Sequence, residues 1–152
     1  MSTWSDVTYA SCRAARPELS VGKVVKVYDG DSITIGTLDK VRYSCRLSGI
    51  DTAELRSSST TERDIAYASR DFLREKILHM IVDVVVRGID KYGRLLCVIE
   101  LDGVNINDLM ITSGGAIEYN GGKKRNVDWG RIDVPVGTKR RSFTWQLCCF
   151  RV

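Results

Sequence analysis

Residues 1–20 show no regular alternation of apolar and polar positions, and Pro17 stands near their end, so they read as a leader. From Val21 the pattern changes. Val21, Val24, Val25 and Val27 make a β-branched run that stops at Asp29-Gly30, a turn dipeptide. Residues 32–36 and 41–50 read as two further strands, with Leu38-Asp39-Lys40 as the turn between them. A helical period then takes over. Ile65, Ala66, Ala68, Phe72, Leu73 and Ile77 fall on one stripe, and Ser59 followed three residues later by Glu62 has the spacing of a capping box, which predicts a helix over 61–78. His79 ends it, where its imidazole favours the negative end of the helix dipole. A β-branched strand over 81–88, the turn Asp90-Lys91-Tyr92-Gly93 and a strand over 94–101 come next. A short helix over 105–113 with Gly114 as its cap follows, then a short strand over 116–119. Beyond Gly121 no periodicity emerges.

Three strands, a helix, two strands and a second helix predict a mainly β, α+β fold: a five-stranded OB-fold barrel. The 152 residues suit one such domain, over 21–120, between the leader 1–20 and a basic C-terminal extension 121–152. The apolar runs are strand-sized, too short to span a bilayer. Residues 1–18 have no apolar core of a secretory signal, so an intracellular location is expected. Five cysteines without a CxxC pair, and a single histidine, argue against structural zinc and for free thiols.

Charge sharpens the picture. Residues 121–152 hold eight Lys/Arg and two Asp/Glu; that net +6, set against +4 for the whole chain, leaves residues 1–120 at −2. A basic extension fits a polyanionic partner. Its aromatics Trp129, Phe143 and Trp145 lie among Lys123-Lys124-Arg125 and Lys139-Arg140-Arg141. They either stack on single strands or pack on the barrel.

Three clusters carry candidate chemistry: Asp29-Gly30-Asp31-Ser32 at a hairpin, Arg46 through Glu54 where a strand ends, and Asp90-Lys91-Tyr92-Gly93-Arg94 entering a strand. Taken singly, each has an ordinary explanation as a turn, a solvated strand arginine or a helix cap. An EF-hand is excluded at the first cluster, because its next ligand positions fall on Ile33 and Lys40. Together they say more. Carboxylates in two loops supply the hard oxygen donors that suit Ca²⁺. Two arginines can hold a phosphate in fork geometry without ever losing charge. Phosphodiester cleavage needs such parts, since negative charge grows on the equatorial oxygens in the transition state and a carboxylate can orient or deprotonate the attacking water.

In this order the clusters resemble the staphylococcal nuclease family over roughly residues 21–120: the D-G-D turn, the R-x-x-x-x-D-T-x-E segment, the helix, the D-K-Y-G-R turn and the V-N helix start. The resemblance implies a barrel with its site on one flank. It implies a Ca²⁺-dependent endonuclease that cuts DNA and RNA, single strands preferred, by water attack in line with the departing 5′-oxygen, leaving 3′-phosphates; the oligomeric state is open, a monomer being the expectation. By the same resemblance Asp31 and Asp51 ligate the metal with Thr52 adding its carbonyl, Glu54 holds the water, Arg46 bridges the substrate phosphate, and Arg94 stabilises the leaving side. Lys91, Tyr92 and Tyr119 match positions that hold the nucleotide. There are departures: Ala53 stands where the family usually has proline, residues 55–61 replace a Lys-rich loop, and no C-terminal helix is evident. A catalytically weak nucleic-acid-binding module on the same fold is the alternative, against which the survival of all five acid and arginine side chains argues.

Overall fold

The computed structural model describes residues 18–122 and 127–129. Its first three strands, β1 (Val21–Val27), β2 (Ser32–Gly36) and β3 (Arg42–Leu47), form an antiparallel meander. Alternation in β1 breaks at a bulge between Val24 and Lys26, which leaves Lys26 outside beside Val25 and returns Val27 to the core. A two-residue strand β4 (Ile50–Asp51) follows, then helix α1 (Thr60–Ile77), β5 (Ile81–Ile89), β6 (Leu95–Leu101), a short β7 (Val104–Asn105), helix α2 (Ile106–Thr112) and β8 (Ile117–Glu118). β1 pairs with β5 and β5 with β6, both antiparallel, and β6 returns to pair in parallel with β3. That last pairing closes a five-stranded OB-fold barrel, as the order of elements predicts.

The inward positions fill one core. Val24, Ile35, Cys45, Leu47, Val82, Cys97 and Ile99 come from the strands, Leu73 and Ile77 from α1, and Met110 from α2. Asn107 sits among them with every polar atom paired. Its Nδ2 donates to Ser48 O (2.8 Å) and Cys97 O (3.0 Å), and its Oδ1 accepts from Ile99 N–H (3.1 Å). It thereby pins the end of β3 to β6. A second, small cluster joins Ala53, Ala66 and Trp129. Trp129 thus packs on the barrel domain, while Phe143 and Trp145 lie outside the described residues.

The structure departs from the sequence expectation in one strand. Residues 41–50 are not one element: Gly49 adopts φ +79°, a left-handed conformation costly for other residues, and breaks the run. Ile50–Asp51 then leaves the barrel sheet to pair with Ile117–Glu118. The turn matters because it swings Asp51 towards the hairpin that bears Asp31. His79 takes φ +68° just past the end of α1, and its N–H donates to Val24 O (2.8 Å). Among the described residues no helix is long and apolar enough to cross a membrane.

Candidate active site

The β1–β2 hairpin sets the first acid. Tyr28 N–H donates to Ser32 O (2.9 Å), and Asp31 N–H donates to Asp29 Oδ1 (3.2 Å), so the turn is held by a side chain as well as the backbone. Gly30 at its tip lies against two other elements. A Cβ there would sit 2.9 Å from Ser69 Cβ of α1 and 2.9 Å from Thr52 Cγ2. Only a residue without a side chain lets the hairpin press on the loop that follows β4, and so brings Asp31 beside Asp51 and Thr52.

Strand register sets the first arginine. Ser32 pairs with Arg46 across β2 and β3. The Arg46 guanidinium forks, Nη1 onto Asp31 Oδ2, and Nη2 onto Asp51 Oδ1 (3.2 Å) and Ile50 O (3.3 Å). Both acids are buried, at 3% and 4% exposure, and the Arg46 side chain is only 13% exposed. Barrel closure sets the second arginine, because β6 runs beside β3 from Leu95 and places Arg94 at the mouth of the same flank. Arg94 Nε donates to Asp90 Oδ2 (2.7 Å), its N–H donates to Asp90 Oδ1 (2.9 Å), and its Nη1 donates to Ser32 Oγ (3.2 Å). The Ser32 hydroxyl in turn donates to Asp31 Oδ1 (2.8 Å). One chain of hydrogen bonds therefore runs from Arg94 through Ser32, Asp31 and Arg46 to Asp51.

Two of the remaining candidates, Tyr92 and Tyr119, lie against the arginines of this chain, and Glu54 is not gathered with the two acids among the described residues. Tyr92 is 72% exposed, with Arg94 Cζ 5.6 Å and Lys91 Nζ 5.0 Å from its ring centre. Tyr119 lies under Arg46, 5.9 Å from ring centre to Cζ. Glu54 is exposed on the loop before α1, and its backbone N–H donates to Glu62 Oε1 (3.2 Å). Two participants carried no separate signal in the sequence. The Ser32 hydroxyl links the second arginine to the first acid, and Asp90 aims Arg94; both stood within motifs but looked like turn residues.

Burial and, after it, the neighbouring Asp29 carboxylate push the Asp31 carboxyl up to about 7 against the opposing pull of Arg46. Burial disfavours charge on Arg46 too, yet Asp31 and Asp51 outweigh it and hold the guanidinium charged. At Asp90 the cost of burial is outweighed by hydrogen bonds from the Arg94 N–H, the Arg94 side chain and the Tyr92 N–H, so its pKa lies below the ordinary carboxylate value of 3.8.

Among the described residues no three His, Cys, Asp or Glu side chains cluster closely enough to cage a metal. The acids gathered are two, Asp31 and Asp51. They fit a hard, partly hydrated cation: all donors are oxygen, and burial together with the neighbouring Asp29 carboxylate holds Asp31 high despite Arg46.

The class these features define is a closed OB-fold barrel with a charged, arginine-bearing flank. The chain belongs to the staphylococcal nuclease homologue family, whose model matches residues 44–129. It is similar to an uncharacterized endonuclease of Escherichia coli O157:H7, 33% identical over 99 residues that cover 64% of this chain and 60% of that one. A Bacillus anthracis protein of uncharacterized function is 33% identical over 102 residues, 64% of this chain and 47% of its own. A Schizosaccharomyces pombe protein named a probable endonuclease is 31% identical over 91 residues, 55% of this chain and 40% of its own. The matched stretch thus spans from 40% to 60% of these relatives' lengths.

Proposed function

We propose that this protein is a Ca²⁺-dependent endonuclease that hydrolyses DNA and RNA, preferring single strands, and leaves 3′-phosphate ends. The observation that carries the reading is the hydrogen-bonded chain from Arg94 through Ser32, Asp31 and Arg46 to Asp51, which puts two permanent cations and two buried acids on one flank. Family membership and the endonuclease names of similar proteins support it.

In this reading Asp31, Asp51 and the Thr52 carbonyl would hold the cation. Bound there, Ca²⁺ supplies positive charge against the oxygens of the phosphate. Arg46 and Arg94 grip the scissile phosphate from two strands and neutralise the charge that grows on it, Arg94 on the side of the departing 5′-oxygen. Arg94 reaches that task already oriented by Asp90. Glu54 holds the attacking water from the α1 side. Lys91, Tyr92 and Tyr119 take the adjoining phosphate and base.

Digestion of denatured DNA by the purified full chain tests this. Cleavage is expected with Ca²⁺ and is lost on chelation. Loss of one transition-state donor typically lowers kcat about 10²–10³-fold, which is the effect expected of Arg94→Ala. One observation favours a rival, a nucleic-acid-binding module without catalysis: no third metal-binding side chain joins Asp31 and Asp51 among the described residues. Retention on DNA with no cleavage in either condition is the outcome that reading requires.

A further inference from the structure

A groove of about 270 Å³ opens on the outer face of the first three strands. Its lining includes Lys26, Tyr28, Asp29, Thr34, Ser44 and Arg94. Strand register explains the lining. Lys26 pairs with Thr34, and Thr34 pairs with Ser44, so the three form a polar row across the meander. Tyr28, at the end of β1, is 51% exposed and keeps Lys26 Nζ 5.8 Å from its ring centre. The groove ends at Ser32 and Arg94, two members of the hydrogen-bonded chain. It is therefore continuous with the candidate active site, yet none of Lys26, Tyr28, Thr34 or Ser44 belongs to the acid–arginine machinery.

We propose that this groove is a subsite for the nucleotide flanking the phosphate held by the two arginines. The idea rests on the reading of that flank as a polynucleotide site. Tyr28 is the stacking platform for the base, Lys26 meets the outer phosphate, and the hydroxyls of Thr34 and Ser44 face the sugar or base edge. An exposed ring beside a lysine is the pairing that binds nucleic acid without sequence preference, since every base has a π-face and every linkage a charge. The site takes single strands because a base within a duplex has both faces already stacked. Asp29 lines the groove as a carboxylate, its Oδ1 accepting the Asp31 N–H at the hairpin, so the phosphate contact falls to Lys26.

Fluorescence anisotropy of a labelled thymidine octanucleotide with the full chain, in chelator so that nothing is cut, tests the groove. Tyr28→Ala is expected to weaken binding about tenfold, while Tyr28→Phe, which keeps the ring, retains it. Lys26→Ala is expected to weaken binding and to lower the slope of log Kd against log salt by about 0.7. Tyr67→Ala is the control, because Tyr67 is an exposed tyrosine with Arg70 4.8 Å over its ring, on α1 and outside the groove. Wild-type affinity in Tyr28→Ala and Lys26→Ala overturns the proposal, as does equal weakening by Tyr67→Ala. The two readings fail separately. A wild-type chain that binds through Tyr28 but never cleaves with Ca²⁺ keeps the groove and loses the nuclease; one that cleaves while Tyr28→Ala binds normally does the reverse.

Discussion

Single atoms decide whether this flank assembles. Gly30 is the sharpest case, because the space its Cβ would need is taken by Ser69 and Thr52. Gly30→Ala is expected to lower stability by about 1–3 kcal/mol, as overpacking of a filled site does, and to cut activity further by pushing Asp31 away from Asp51; urea denaturation and the digestion assay read the two effects. Asp90 gives a pH dependence of known sign. Its folded pKa is depressed, so its contribution is fully present above the unfolded value near 3.8 and is lost as pH falls through the lower folded value. Asp90→Asn is thus expected to destabilise the protein near neutral pH and to cost little at the acid end of a denaturation series; an equal loss at both ends would refute the assignment. At this scale the sequence was informative about which residues and silent about their partners. Asp31, Arg46 and Arg94 stood out within motifs, whereas the Ser32 hydroxyl that joins them is chemically ordinary until strand register sets it opposite Arg46.

Elements were legible wherever one period ran undisturbed. Helix α1 spans Thr60–Ile77, close to the predicted 61–78, because its apolar stripe and Ser59 cap act locally. The meander and both later strands were legible for the same reason. The third strand is shorter than its pattern predicts: apolar positions continue to Ile50, but β3 ends at Leu47 and the left-handed Gly49 turns the chain into β4. The capping box was half right. Ser59 Oγ accepts the Glu62 N–H (3.3 Å), but the Glu62 carboxylate turns away to take the Glu54 N–H and the Ser57 hydroxyl. A residue whose spacing suggested helix capping thus also braces the backbone of Glu54. Glu62→Ala is expected to leave the N-cap bond of Ser59 in place and to lower kcat more than it lowers Tm, since the loop bearing Glu54 loses its anchor; a Tm loss that accounts for the whole change in activity would make Glu62 merely structural.

At the scale of the molecule, closure does what no local pattern announces. β3 and β6 pair in parallel with Cys45 opposite Leu95, and this contact between distant stretches places both arginines on one flank. The order of elements predicts the closure, but only the order of the motifs, through their resemblance to a family, anticipates the shared flank. A second long-range contact has the same character. Trp129, from the stretch where periodicity failed, is buried against Ala53 and Ala66, with Leu55 and Ile65 packed around it. Ala53 lies between the candidate metal-binding residues and Glu54, at the position where the family usually carries proline. A proline would stiffen that loop through its own ring, whereas here an indole packs on it from outside. Trp129→Ala removes a large buried side chain, with an expected cost of about 3–5 kcal/mol. The decisive measurement is Ca²⁺ affinity by calorimetry at a temperature where the variant remains folded by circular dichroism. Weaker binding there, with the barrel intact, shows that Trp129 sets the loop carrying Asp51 and Thr52; wild-type affinity shows that it serves the fold alone.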